Sequence, residues 1–547
     1  MNKTFLIKGF VVSFLTLSVV ACQKTNVSDG KEVYPPGQKA RVKYLDTKVS
    51  PATGISGTVV TIPISGLEGK KGQFKAYFGT TEAEVLDVSD KMITVKVPVN
   101  ASSSNISIEL NGETYFGPRF TVQGKLYIDP SFNTDASQSN GTIMGITPYG
   151  NGNFIIYGSF NFYNGTTLTG LATIDPNGAR AAKQIYTGPS NSLGLTPTFV
   201  GNLIRLSDGR FLMGGGFTEA SNTVSDLSNL ARIKQGSGTN AMDSIETQRY
   251  QIPNNDAFNF PDRSWATGSS VNAGTDEDIA RVFVTADAQN YILVGNFQKY
   301  RTTFYPGSLW NNPQKDEIAM KQIISIKTDG SFDSSFNFNR ATNRSYSAGN
   351  AFLNDAIQGP DGNILITGNF TTFHDRPASR IVKINAATGL VMESFATGTG
   401  FDGVTTRIFY NTASQKYLIT GLFQKYNGID ANGVAMLNTD GSLYSGFKVR
   451  TYDNAISFAK QLTNGKVVIA GTFTKYDGVA RPGFAVLNSD GSLASGYNNT
   501  GFFNGYVSDV LETTASGTGL PALFIVGSFS RFDAIPVANI VKVIIEN

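Results

Sequence analysis

The sequence predicts an all-β protein, a small β-sandwich followed by a seven-bladed β-propeller, and three observations carry that prediction. An apolar run closing on Gly-x-Phe recurs seven times: Gly158-Ser-Phe160, Gly215-Gly-Phe217, Gly295-Asn-Phe297, Gly368-Asn-Phe370, Gly421-Leu-Phe423, Gly471-Thr-Phe473 and Gly527-Ser-Phe529. In six copies an aromatic follows three residues on, and a further strand trails each copy, ending in Ile174, Ile233, Ile326, Ile384, Leu437, Leu487 or Val543. Ahead of these copies lie short runs of period-two alternation between residues 58 and 122. A unit of fifty to eighty residues is too long for a helical solenoid; it fits a propeller blade, which buries its faces only against its neighbours. Composition agrees, since 58 glycines, 38 Phe and 22 Tyr against 16% charged residues describe short strands and tight turns.

Residues 1–22 read as an export signal. Lys3 and Lys8 precede an apolar stretch, Phe10 to Val20, too short for a comfortable membrane span. The stretch ends Val19-Val20-Ala21-Cys22, and Cys22 is the only cysteine, so no disulfide forms within the chain. This segment resembles the bacterial lipoprotein signal, which implies acylation of Cys22 and a membrane anchor through its lipid; an ordinary secretory signal with an incidental cysteine is the alternative. Three acyl chains would hold stably, at about 0.8 kcal/mol per buried methylene. Gln23, where an aspartate would resemble an inner-membrane retention signal, points to the outer membrane. Surface-export signals carry acidic residues just behind the cysteine, whereas here none precedes Asp29; the cell surface and the periplasmic face both stay open. With 45 basic against 42 acidic side chains there is no field for nucleic acid, and no nucleic-acid partner is expected.

Residues 23–44, polar and carrying Pro35-Pro36-Gly37, read as a flexible tether. Over 45–123 the alternating runs Thr58–Ile62, Phe74–Phe78, Ile93–Val97, Ile106–Leu110 and Phe120–Val122 suit a small sandwich. Ser50-Pro51, Gly54, Gly57, Phe78-Gly79, Val97-Pro98 and Asn111-Gly112 give it a resemblance to TIG (IPT) immunoglobulin-like domains, which implies an immunoglobulin-like spacer.

Residues 124–547 are the propeller region. Asp361-Gly362 and Asn464-Gly465 mark hairpin turns between the first two strands of a unit. Thr328-Asp-Gly-Ser331, Thr439-Asp-Gly-Ser442 and Ser489-Asp-Gly-Ser492 follow the third strand, each leading to an aromatic: Phe336, Phe447 or Tyr497. This combination resembles the delta-60 type of bacterial propeller repeat. The last unit lacks such a tail, while the first begins with one, Leu126-Tyr-Ile-Asp129-Pro-Ser-Phe132. Joining the two would complete the seventh sheet and remove an exposed edge.

Chemistry is sparse. His374 is the sole histidine and is placed in a solvated loop, so Ser-His-Asp, Cys-His and His-rich zinc sites have no basis; no catalytic residue, metal or cofactor is expected. The repeated Asp329, Asp440 and Asp490 lack the spacing of a calcium loop and read as turn residues. Irregularity is where a repeat scaffold carries function. The second and third units are overlong, with 80 and 73 residues between successive glycines where 50 to 57 is usual, and they hold both tryptophans. Arg263, Trp265, Phe304, Tyr305, Trp310 and Asn311 supply ring faces, amides and charge of the kind a sugar needs, unless the tryptophans merely fold the insertions down. A second candidate set, Asn202, Arg281, Asp355 and Arg407, lies thirteen or fourteen residues before the Gly-x-Phe glycine and would face a central funnel.

The expectation is a non-catalytic envelope lipoprotein that binds glycan at the outer membrane. Signal, spacer and propeller together resemble accessory lipoproteins of polysaccharide-uptake systems, which implies an outer-membrane transporter as a further partner. A protein-docking or adhesion module, and a carbohydrate-active enzyme using two carboxylates, are the alternatives.

Overall fold

A computed structural model describes residues 42–546, apart from 135–137, 183, 186–188, 191–197, 221–223, 225, 235–240, 251–262 and 309–312. The signal, Cys22 and most of the tether therefore lie outside the described residues.

Residues 43–122 form one eight-stranded sheet folded over a single core. Period-two alternation does the folding: Val60, Ile62 and Ile64 of Val59–Ser65 turn inward, as do Ile93 and Val95 of Met92–Lys96, while the residues between them face out. Phe78 and Phe120 meet edge to face at 5.1 Å in that core. The chain enters at Lys43–Tyr44, paired with Ser65 and Ile64. At the other end of that strand Thr58 pairs with Val97, and from there residues 100–105 reach the propeller.

Beyond residue 126, seven sheets among the described residues share one order of inner, central and third strand. The first is Ile143–Gly150, Asn153–Gly158 and Leu171–Ile174; the last is Asn504–Thr514, Pro521–Phe532 and Ile540–Ile545. Consecutive inner strands touch, and the first touches the last, so the sheets form a closed ring. After the third strand, short tails add a bridge in most sheets, such as Leu437 opposite Leu443 and Leu487 opposite Leu493. The last sheet receives Leu126–Ile128 in that place, with Ile128 opposite Val543 and Leu126 opposite Ile545.

The repeated residues bond to one another. The hydroxyls of Tyr163, Tyr300, Tyr426 and Tyr476 donate to the carbonyls of Gly178, Gly330, Gly441 and Gly491 at 2.5–2.7 Å, tying the aromatic after Gly-x-Phe to the turn after the third strand. In those turns Ser331, Ser442 and Ser492 donate through hydroxyl and backbone N–H to the carboxyls of Asp329, Asp440 and Asp490 two residues back, which holds those carboxyls below the usual range.

The sandwich docks on the last two sheets. Arg481 Nη1 donates to Asn100 O and Ser102 Oγ at 3.0 Å, and Arg119 pairs with Asp533 at 3.1 Å. Asn499 Nδ2 bonds Val122 O and Leu126 O, so one amide ties sandwich, closing strand and last sheet. The docked elements flank the start of the inner strand Asn504–Thr514, at the end of the ring where inner strands begin.

Candidate functional site

A register irregularity interrupts the inner strand of all seven sheets, opposite the Gly-x-Phe glycine. A Cβ on any of these seven glycines would collide with a carbonyl oxygen of that inner strand, that of Phe352 for Gly368 and that of Tyr506 for Gly527. Only glycine lets the two backbones close on a bulge here. The residue that leaves each bulge is Gly145, Asn202, Arg281, Asp355, Arg407, Phe458 or Asp509, one per sheet. Tyr157 fills the space beside Gly145, and its hydroxyl is raised to about 12, chiefly by burial. The four funnel candidates thus occupy one structural position. Asp509 shares it but stands eighteen residues before its glycine, because the last hairpin is longer.

Most of these side chains join neighbouring sheets. Asn202 Oδ1 accepts from Val282 N at 3.0 Å, and Asp355 Oδ2 accepts from Ile408 N at 3.0 Å. Arg281 pairs with Asp355 at 2.7 Å, and Lys460 with Asp509 at 2.8 Å. Asp355 and Asp509 each accept a further backbone N–H, so both axial carboxylates are committed. Arg407 lies close to both, yet makes no hydrogen bond or ion pair among the described residues; burial lowers its pKa, against the pull of the two aspartates.

Arg407 and Arg281 line a cleft of about 710 Å³ that opens where the inner strands begin. One step before the bulge, at the mouth, stand Phe199, Asp278 and Phe352. Phe352 is 65% exposed, Phe199 lies against Gly201 and Gly216, and Glu277 adds a second carboxylate beside Asp278. Burial, with Glu277 next to it, raises the carboxyl of Asp278. The cleft therefore has an aromatic and acidic rim and a basic floor. Phe199, Asp278 and Phe352 escaped sequence reasoning; the signal was their shared place one residue ahead of the bulge.

The insertion residues part company. Ser244–Tyr250 and Arg263–Ser269 form a ribbon on which Trp265 is 64% exposed. Tyr305 packs against Gly268, and the Arg249 guanidinium lies 5.1 Å from its ring. Residues 265 and 268 point to opposite faces of the ribbon, so Trp265 and Tyr305 cannot grip one ligand from the same face. Phe304, 46% exposed, begins a short 3-10 turn over Tyr305–Gly307. Trp310, Asn311 and the side chain of Arg263 lie outside the described residues.

His374 is half-buried rather than solvated, its ring 4.8 Å from Phe373 and 5.6 Å from Tyr346. It and Asp375 both have positive φ, forming the two-residue turn between Thr372–Phe373 and Arg376–Pro377 where other sheets carry Asn-Gly or Asp-Gly. Burial pushes its imidazole down to about 4, and its Nε2 has no hydrogen-bond partner among the described residues. A depressed folded pKa favours the fold in full above the free value near 6.5 and loses that contribution as pH falls through about 4. Between pH 6.5 and 4 the wild type is expected to lose about 1–2 kcal/mol more than His374→Asn, after allowance for solvent screening; equal losses in urea melts would refute this.

The IPT/TIG domain model matches residues 47–122, and a β-propeller domain of unknown function, DUF5122, matches 359–389, 416–447 and 462–494. The chain carries an IPT/TIG domain followed by β-propeller repeats of that family. No curated protein matches it. Among solved structures it is similar to an auxiliary nutrient binding protein from Bacteroides ovatus, at 10% identity over 91% of this chain and 96% of that one, with a TM-score of 0.26. Another auxiliary nutrient binding protein, from Bacteroides thetaiotaomicron, matches at 11% identity, 71% and 96% coverage and a TM-score of 0.19. Sqt1 from Chaetomium thermophilum matches at 10%, 77% and 91%, with a TM-score of 0.33.

Proposed function

We propose that the protein is a non-catalytic, lipid-anchored glycan-binding component of the bacterial outer membrane, serving a polysaccharide-uptake system. The observation that supports it is the cleft at the ring mouth. It pairs an exposed ring face, Phe352, with the carboxylates Glu277 and Asp278 and the amides Asn354 and Gln298. Sugars bind through such pairs, C–H faces on rings and hydroxyls on planar polar groups. Binding rather than hydrolysis fits the carboxylates: Glu277 and Asp278 are chain neighbours, whereas glycoside hydrolysis needs two carboxyls flanking the bond, and Asp355 is held by Arg281 and Ile408.

Phe352→Ala is expected to weaken polysaccharide binding at least tenfold in affinity electrophoresis, with the melting temperature unchanged. Trp265→Ala tests the insertion ribbon in the same assay, and loss there alone moves the site. A second reading, protein docking, draws on the apolar side chains exposed at the same end, Leu422 and Tyr506. Co-purification with an outer-membrane transporter, without affinity for any sugar, would favour it. Retention of full-length protein in membranes, lost in Cys22→Ala, tests the anchor.

A further inference from the structure

At the axis of the ring the cations outnumber the carboxylates by one. Three cations, Arg281, Arg407 and Lys460, meet two carboxylates, Asp355 and Asp509. Arg281 takes Asp355 and Lys460 takes Asp509, both within 2.8 Å, and each carboxylate is further occupied by backbone N–H groups. Arg407 is left over, partly buried, its guanidinium bordering the cleft with no partner among the described residues. Its donors are open to the cleft, where a ligand can take them up in place of water. Its planar fork matches a carboxylate, which it can hold through two parallel bonds.

The rim sets the orientation. Glu277 and Asp278 repel an anion at the entrance but accept hydrogen bonds from hydroxyls, and Phe352 offers a face to a pyranose ring. A ligand suited to both ends is acidic at its leading tip and hydroxylated behind it.

We propose that the cleft binds acidic oligosaccharides, with a uronate-type carboxylate on Arg407 and the sugar ring on the aromatic rim. This rests on the glycan reading above and makes Arg407 the residue that selects acidic over neutral chains.

The test uses the whole chain and uronate oligosaccharides (oligogalacturonate, oligomannuronate, oligoguluronate), each paired with its carboxyl-reduced, neutral counterpart, in titration calorimetry. For at least one pair the acidic member is expected to bind tenfold or more tightly, with affinity falling as salt rises. Arg407→Gln should abolish that preference, and Arg407→Lys should restore part of it. Equal binding of the neutral member, weakened by Phe352→Ala but not by Arg407→Gln, overturns the acidic assignment and leaves the glycan reading standing. Preference for sulfated chains over uronates also overturns it. No binding of either member, or of any neutral polysaccharide, defeats both. Should Arg407→Gln fail to fold, the acidic-neutral comparison on the wild type decides alone.

Discussion

Replacing residues 124–133 by a Gly-Ser stretch of equal length is expected to lower the melting temperature by more than about 10 °C and to drive the protein into aggregates. Ten residues would ordinarily matter little, but these contain the outer strand of the last sheet. Without Leu126–Ile128 the strand Ile540–Ile545, buried along its whole length, presents an unpaired edge of the sequence Ile-Val-Lys-Val-Ile-Ile. Leu126 and Phe132, both buried, also leave their packing, at about 1.5–3 kcal/mol each. A single residue probes the same closure. Lys542 is fully buried and meets Asp129 at 3.5 Å, with Pro176 O as its other partner. Asp129→Ala should therefore destabilise by about 3–5 kcal/mol, because a buried ammonium loses its counter-charge, and Asp129→Ala with Lys542→Met should recover most of that loss. Equal melts for wild type and the Gly-Ser variant would mean that the ring does not depend on this strand.

Asp226→Ala is expected to cost a similar amount, about 3–5 kcal/mol, through the overlong units. Arg249 and Asp226 pair at 3.0 Å with almost no exposure, and Lys315 Nζ donates to Asp226 O and Thr303 Oγ1. These groups clamp the strands Ser244–Tyr250 and Arg263–Ser269 and the paired strands Lys299–Thr303 and Lys315–Ala319 to the body. Asp226→Ala with Arg249→Met should melt closer to wild type than Asp226→Ala alone, since the buried guanidinium is then not left without its counter-charge. Burial pushes Lys315 down to about 8, against the pull of Asp226. For a lysine depressed on folding, the contribution is full above the free value near 10.5 and is lost as pH falls through about 8. The stability of wild type relative to Lys315→Met should accordingly rise by about 2 kcal/mol from pH 8 to 10; a flat difference would exclude the clamp as drawn.

How much of this was legible depended on whether the cue was local. Gly-x-Phe, the tyrosine after it and the Asp-Gly turns are local cues, and the structure joins them by direct hydrogen bonds. The axial set was readable only in part. Asn202, Arg281, Asp355 and Arg407 share an offset from their glycines, but which acid neutralises which base depends on angular position around the ring, and no spacing encodes that. Phe458 and Gly145 sit at the same offset and are not charged, so a search for charge passed over them. For the insertions the sequence marked the overlong units by their length and their tryptophans. It did not show that strand alternation turns Trp265 outward and leaves Tyr305 against the other face. His374 misled because a two-residue turn with positive φ ordinarily faces solvent, and here Tyr346 and Phe373 lie against it.

The docking of the sandwich gives the ring a front and a side. Its contacts fall on the sixth and seventh sheets, while the cleft is lined by residues of the first five, and both belong to the end where inner strands begin. A glycan polymer bound there, as proposed, and too long for the cleft would meet the sandwich on one flank and open blades on the other. The entering chain, at Lys43–Tyr44, sits at the far end of the same fence. On that reading, approach to the mouth would be one-sided, with a direction set by where the sandwich stands.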